Sequence, residues 1–197
     1  MKHLFFCLIL LSSQLCVGAE YISEQDFISQ SFTNSPTMKS IWLKGDRQEV
    51  AKEMLGHRYP ALRLRYWMDG TKSAWIMNEI GKEKPITIGV TIEGDKIERV
   101  SILAYRESRG GEIRHPFFTE QFVGAGLKPN ADLGNPVDGI AGATLSVRAV
   151  TNISRFALYL SESTASEFAI GQVSQSRTYV QIVDNEIGLI AHVPASP

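Results

Sequence analysis

The sequence predicts an α+β domain: a small antiparallel sheet of two hairpins packed with helices, in a single domain. Three observations carry this. Apolar residues alternate with polar ones from Ala61 to Met68 and again from Pro85 to Ile92, the period of a half-buried strand. Each stretch is followed by a turn sequence, Asp69-Gly70 or Glu93-Gly94-Asp95-Lys96, and a partner strand. Apolar residues recur at helical spacing before the first hairpin and after Ala143.

In order, Ser23 to Phe32 opens on an N-cap residue and places Phe27 and Phe32 on one helical side. Asn34-Ser35-Pro36 interrupts it. Asp46 to Leu55 reads as a second short helix, with Asp46 as cap and Gly56 as terminator. The strands Ala61–Met68 and Ser73–Ile80 form one hairpin; Pro85–Ile92 and Ile97–Tyr105 form the other. One sheet face is expected to be apolar and the other mixed. Arg106 to Gly111 reads as a loop, and His115 to Val123 as a short helix with Pro116 in its first turn. Gly126 to Pro136 is a second loop, rich in turn formers. Leu145 to about Leu160 is a helix with the stripe Leu145, Ala149, Ile153 and Phe156 or Leu160. Beyond Ser161, Arg177 to Val183 has the composition of an edge strand, and the end is expected to be mobile.

The first residues follow the secretory layout: a basic start at Lys2 and His3, the apolar run Leu4 to Leu11, and small residues Val17 and Ala19 before a cut ahead of Glu20. The run is too short for a spanning helix, which needs about 20 residues; an uncleaved anchor is the alternative. Leu15 before Cys16 is too large for a lipoprotein site. Cys7 and Cys16, the chain's two cysteines, both lie in this segment. The exported chain is therefore expected to carry no disulfide, thiolate metal site or Cys nucleophile. With 20 Lys and Arg against 21 Asp and Glu, the near balance gives no electrostatic argument for nucleic acid or an anionic membrane as a partner. His57, His115 and His192 are scattered, without ligand spacing, so no metal site is expected. No nucleophile elbow precedes a Ser-His-Asp order. The expected division is a signal peptide over 1–19, an N-terminal extension over 20–79, a central domain over 80–160 and a C-terminal tail over 161–197.

The stretch "VDGIAGATLSVRAV", Val137 to Val150, strips the backbone to Gly and Ala just before a helix and leaves the Thr144 hydroxyl at its start. A helix N-terminus carries unpaired N–H groups and partial positive charge. Bare backbone ahead of it lets a phosphate approach. The simpler reading makes Thr144 an ordinary N-cap. The spacing matches neither a P-loop nor a dinucleotide fingerprint.

"DGIAGATLSVRAVTN", Asp138 to Asn152, resembles the flavin-attachment motif of the FMN-binding domain family, found in the flavin-carrying subunits of the sodium-pumping quinone reductase and Rnf complexes and in stand-alone exported proteins. "PITIGVTIEGDKIERVSILAYRES", Pro85 to Ser108, is similar to the family's hairpin and Glu loop, and "FFTEQFVG", Phe117 to Gly124, to its Phe-rich helix. The shared order runs over residues 80 to 160.

The resemblance implies FMN as cofactor, joined by a phosphoester bond to Thr144. It implies Asp138, Gly139, Gly142, Ala143, Leu145, Ser146, Glu107 and Ser108 as cofactor-binding positions. Asp138 could orient the loop or bind the Mg²⁺ of an attaching enzyme; an Asx-turn is the alternative. Ser146 could donate to a phosphate oxygen or be solvated. Tyr105 lies at the same loop. Trp67, Trp75, Phe117 and Phe118 are stacking candidates for the flavin, or core residues. Arg106 and Arg109 could pair with the phosphate or with Glu107, or be solvated. Ala141 stands where the family usually has Ser or Thr, which removes one hydrogen bond to a charged group, about 1.5–3 kcal/mol. The implied function is that of an exported, periplasmic flavoprotein: an electron carrier rather than a stand-alone enzyme. Its partners are a Mg-dependent flavin transferase and a membrane or periplasmic redox protein. A non-covalent FMN-binding module, or an accessory interaction domain without redox turnover, is the alternative.

Overall fold

The structure is a computed structural model that describes the backbone of residues 19–190 and the side chains of residues up to 167. The signal segment expected over 1–19 lies outside the described residues except for Ala19, as does His192.

The two expected hairpins form, and the sheet is wider than they are. Among the described residues it has six antiparallel strands: β1 (Ala19–Glu20), β2 (Thr37–Trp42), β3 (Arg63–Asp69), β4 (Lys72–Ile80), β5 (Pro85–Glu93) and β6 (Lys96–Tyr105), in the order β1-β6-β5-β4-β3-β2. β2 adds an edge beyond β3, pairing Met38 with Trp67 and Trp42 with Arg63. β1 adds the other edge, pairing Ala19 with Tyr105.

Helix α1 (Glu24–Ser31) starts at Ser23, whose side chain accepts from the Asp26 N–H, as the sequence predicts. Helix α2 (Asp46–Leu55) also forms, but its N-cap is Gly45 at φ +58 with no side-chain cap, so Asp46 is its first residue rather than its cap. Gly56 ends it in the left-handed conformation at φ +84. After two short 3-10 turns and α3 (Pro116–Thr119), the chain enters α4 (Thr144–Ile190). Helix α4 runs through Arg177 to Val183, so the edge strand expected there does not form.

One sheet face receives α2 and α4. Trp75, Met77, Ile86, Ile88 and Val90 meet Ala149, Ile153, Phe156 and Leu160 in the main core. Tyr66 stacks on Trp75 with ring centroids 4.5 Å apart. The other face is covered by α1: Phe27 packs with Ala74 and Leu103. β5 is thus buried on both sides. Its Gly89 lies so close to Phe27 that a Cβ there would fall 2.6 Å from the ring. This second cover explains why the mixed face of the sequence reading is apolar at its centre.

Candidate functional site

The site lies where the end of β6, the loop after it and the start of α4 converge. The first helical bond of α4 runs from the Val147 N–H to the Ala143 carbonyl, 2.9 Å. Ala143 is therefore the cap residue, and Thr144 is the first residue of the helix rather than its cap. The Thr144 side chain is exposed. A turn precedes it, closed by the Ala143 N–H on the Ile140 carbonyl at 3.0 Å. Gly142 holds φ +80 there, a conformation glycine adopts at little cost. Ala143 is 3% exposed and must be small. Gly110, at φ +85, packs on it so tightly that a Cβ on Gly110 would sit 3.0 Å from the Ala143 Cβ and 2.8 Å from the Tyr105 hydroxyl.

Tyr105 joins the pieces. Its hydroxyl donates to the Arg109 carbonyl and lies 3.0 Å from Ser146 Oγ. Burial raises the phenol above its ordinary value, against the opposing effect of the Ser146 hydrogen bond. Ser146, 4% exposed, is consequently engaged inside the fold rather than solvated. Glu107 Oε1 accepts from the N–H groups of Lys82 (2.6 Å), Glu83 (2.6 Å) and Lys84 (2.8 Å). Partial burial pushes the carboxyl up, but these three donors outweigh it and hold it below the usual glutamate range. Gly81 lets the hairpin tip in: a Cβ there would meet Glu107 Oε1 at 3.0 Å and Ser146 Oγ at 3.4 Å. Glu107 in this structure secures the β4–β5 tip.

An open cleft of about 480 Å³ lies between this loop and the turn before α4, lined by Ser108, Arg109, Gly110, Gly111, Glu112, Arg114, His115, Ala141 and Gly142. Its size is within the range of about 300–1,000 Å³ of ligand pockets. Of the residues singled out from sequence, Ser108, Arg109, Ala141 and Gly142 line it, and Thr144 is two positions beyond Gly142. Leu145 is half-buried, and Gly139 is exposed, with open space where a Cβ would lie. Asp138 is exposed; its backbone N–H donates to Gln121 Oε1 at 2.6 Å, tying the loop to the 3-10 turn Glu120–Phe122.

The stacking candidates separate. Trp75 and Phe118 are fully buried core. Trp67 is half-buried beside α1. Phe117 is 60% exposed and stacks with His115, a cleft residue, at 6.2 Å. Arg106 donates to the Pro85 carbonyl and to Thr87 Oγ1, not to Glu107. Arg114, Glu112 and His115 were not legible as site residues. The only signal was the Gly110-Gly111 pair, which marks a loop without saying what it faces. Among the described residues no group of His, Cys, Asp and Glu could hold a metal ion, and no helix is long and apolar enough to cross a membrane.

Fold and site together define an α+β domain with a small cleft set against the bare start of a helix. Residues 81–159 match the family model of the FMN-binding domain. That match indicates FMN as the cofactor of this stretch. No curated protein matches the chain. Among solved structures, the chain is similar to a subunit of the Na(+)-translocating NADH-quinone reductase from Parabacteroides distasonis. The identity is 20% and the TM-score 0.41, over 64% of this chain and 78% of that one.

Proposed function

We propose that this protein is an exported electron carrier whose FMN is esterified to Thr144. The observation that carries the reading is the Thr144 hydroxyl: exposed, first in its helix, and directly preceded by Ala141, Gly142 and Ala143, which carry nothing larger than a methyl group. The residues around it fit a phosphorylated flavin. Gly142 leaves the backbone open, the helix start favours an anion, and the cleft beside it has room for an aromatic ring.

The chain's own part in attachment is simple. Thr144 Oγ forms a P–O bond to the flavin phosphate of a flavin dinucleotide donor. The diphosphate P–O bond breaks, a nucleoside monophosphate leaves, and the hydroxyl proton passes to solvent. A Mg-dependent transferase supplies the catalysis. Once bound, FMN supplies the redox chemistry; the protein supplies position and electrostatics. An open cleft suits exchange of electrons with a membrane or periplasmic redox protein. A covalent tether replaces affinity by effective concentration, which matters where a lost flavin diffuses away.

Co-expression with a flavin transferase, export and intact-mass measurement test this. The expected product is heavier by one FMN less one water, and Thr144→Ala abolishes the increase. An unmodified wild-type chain under those conditions would overturn the reading. Ala141, which places a methyl group in the cleft, favours a second reading, reversible FMN binding. Yellow colour lost on denaturation and filtration would mark it.

A further inference from the structure

The turn before α4 offers a phosphate only backbone. Gly139 and Gly142 have no side chain, Ala141 and Ala143 present methyl groups, and Ala143 is the cap residue. A phosphate held here by backbone N–H groups alone would lack a countercharge. Charge is present in the same cleft: Arg109 and Arg114, with His115, line it together with Ala141 and Gly142. The two walls touch, since Gly110 packs on Ala143. Glu112 lines the same cleft and opposes them. Arg114 is held in place by Tyr21, with its guanidinium carbon 4.7 Å from the ring centroid. The main chain at Arg109 is fixed through its carbonyl, which accepts the Tyr105 hydroxyl, and its side chain is exposed.

We infer that Arg109 and Arg114 form a non-covalent phosphate-recognition site, which selects phosphorylated flavin before the ester forms and holds the phosphoester afterwards. The inference rests on FMN being the ligand of this cleft and names the side chains that recognise its phosphate. Guanidinium groups suit the task because their donors match phosphate oxygens in pairs.

The test uses the full exported chain with Thr144→Ala, which has no ester acceptor, so attachment cannot mask binding. Flavin fluorescence is titrated with FMN and with riboflavin, which lacks the phosphate. The expected result is FMN binding at least about 10-fold tighter than riboflavin, the scale of one or two charge-assisted hydrogen bonds. Inorganic phosphate should compete with FMN. Adding Arg109→Gln and Arg114→Gln should erase the preference, while Lys at both positions should keep most of it, which separates charge from folding. Glu112→Gln should widen it. Equal affinity for the two flavins, no binding of either, or a preference that survives both Gln substitutions would overturn the inference. The mass of wild-type protein made with the transferase reports separately on the ester at Thr144.

Discussion

A single carboxylate oxygen of Glu107 accepts from three successive N–H groups of the hairpin tip. Its pKa is lowered by them in the folded state. The stabilisation is therefore complete above the unfolded-state value and is lost as pH falls through the depressed folded value. Glu107→Gln should lower the melting temperature at neutral pH by about 2–4 °C for each kcal/mol lost. The gap to wild type should close in acid, as melting curves across a pH series would show. Thr144 makes the opposite case. It lies on the surface, so Thr144→Ala should change stability by less than about 0.5 kcal/mol while removing the mass adduct. Ser146, engaged with Tyr105, is a structural position: Ser146→Ala should cost about 1 kcal/mol in denaturant unfolding and leave the adduct in place. Sequence alone marks Thr144 but not what its neighbours are bound to. A hydroxyl or carboxylate near a motif does not announce that its hydrogen bonds are already committed to another element.

Elements differ in how clearly the sequence announces them. The hairpins β3–β4 and β5–β6 declare themselves because each buries alternate residues against α4. Strand β2 buries Ile41 but leaves Met38 57% and Trp42 53% exposed, so no apolar alternation marks it. The run Arg177 to Val183 misleads for the reverse reason. Its β-branched and aromatic residues suit a strand, whereas α4 extends from a start already fixed by packing, and propagation is easier than nucleation. At this scale Gly89 is the sensitive position, because α1 rests its Phe27 ring there. Gly89→Ala should cost about 1–3 kcal/mol through overpacking, measured by chemical denaturation. Gly142→Ala should cost about 1 kcal/mol, the penalty of left-handed backbone for a side chain. It should also slow attachment at Thr144 in a timed mass assay.

Across the whole molecule, a sheet covered on both faces makes Trp75 the centre of the fold. It is fully buried, stacked on Tyr66, and donates its indole N–H to Ser73 Oγ at 3.0 Å. Trp75→Ala should cost about 3–5 kcal/mol. Trp75→Phe should keep the fold and remove the most blue-shifted part of the tryptophan emission. The fold class was readable because the whole molecule obeys one rule: period-two segments meet a helical stripe. The cleft was not, since its walls come from stretches about 30 residues apart in sequence that the packing of Gly110 on Ala143 and the Tyr105 hydroxyl bring together.

The chain of contacts from the Lys82–Lys84 N–H groups through Glu107, and from Arg109 through Tyr105 to Ser146, ties the hairpin tip, the cleft wall and the start of α4 into one frame. With a redox group on Thr144, such stiffness has a kinetic meaning. When an electron arrives or leaves, the protein dipoles of this frame would stay in place, and the rearrangement would fall mainly to the water of the open cleft.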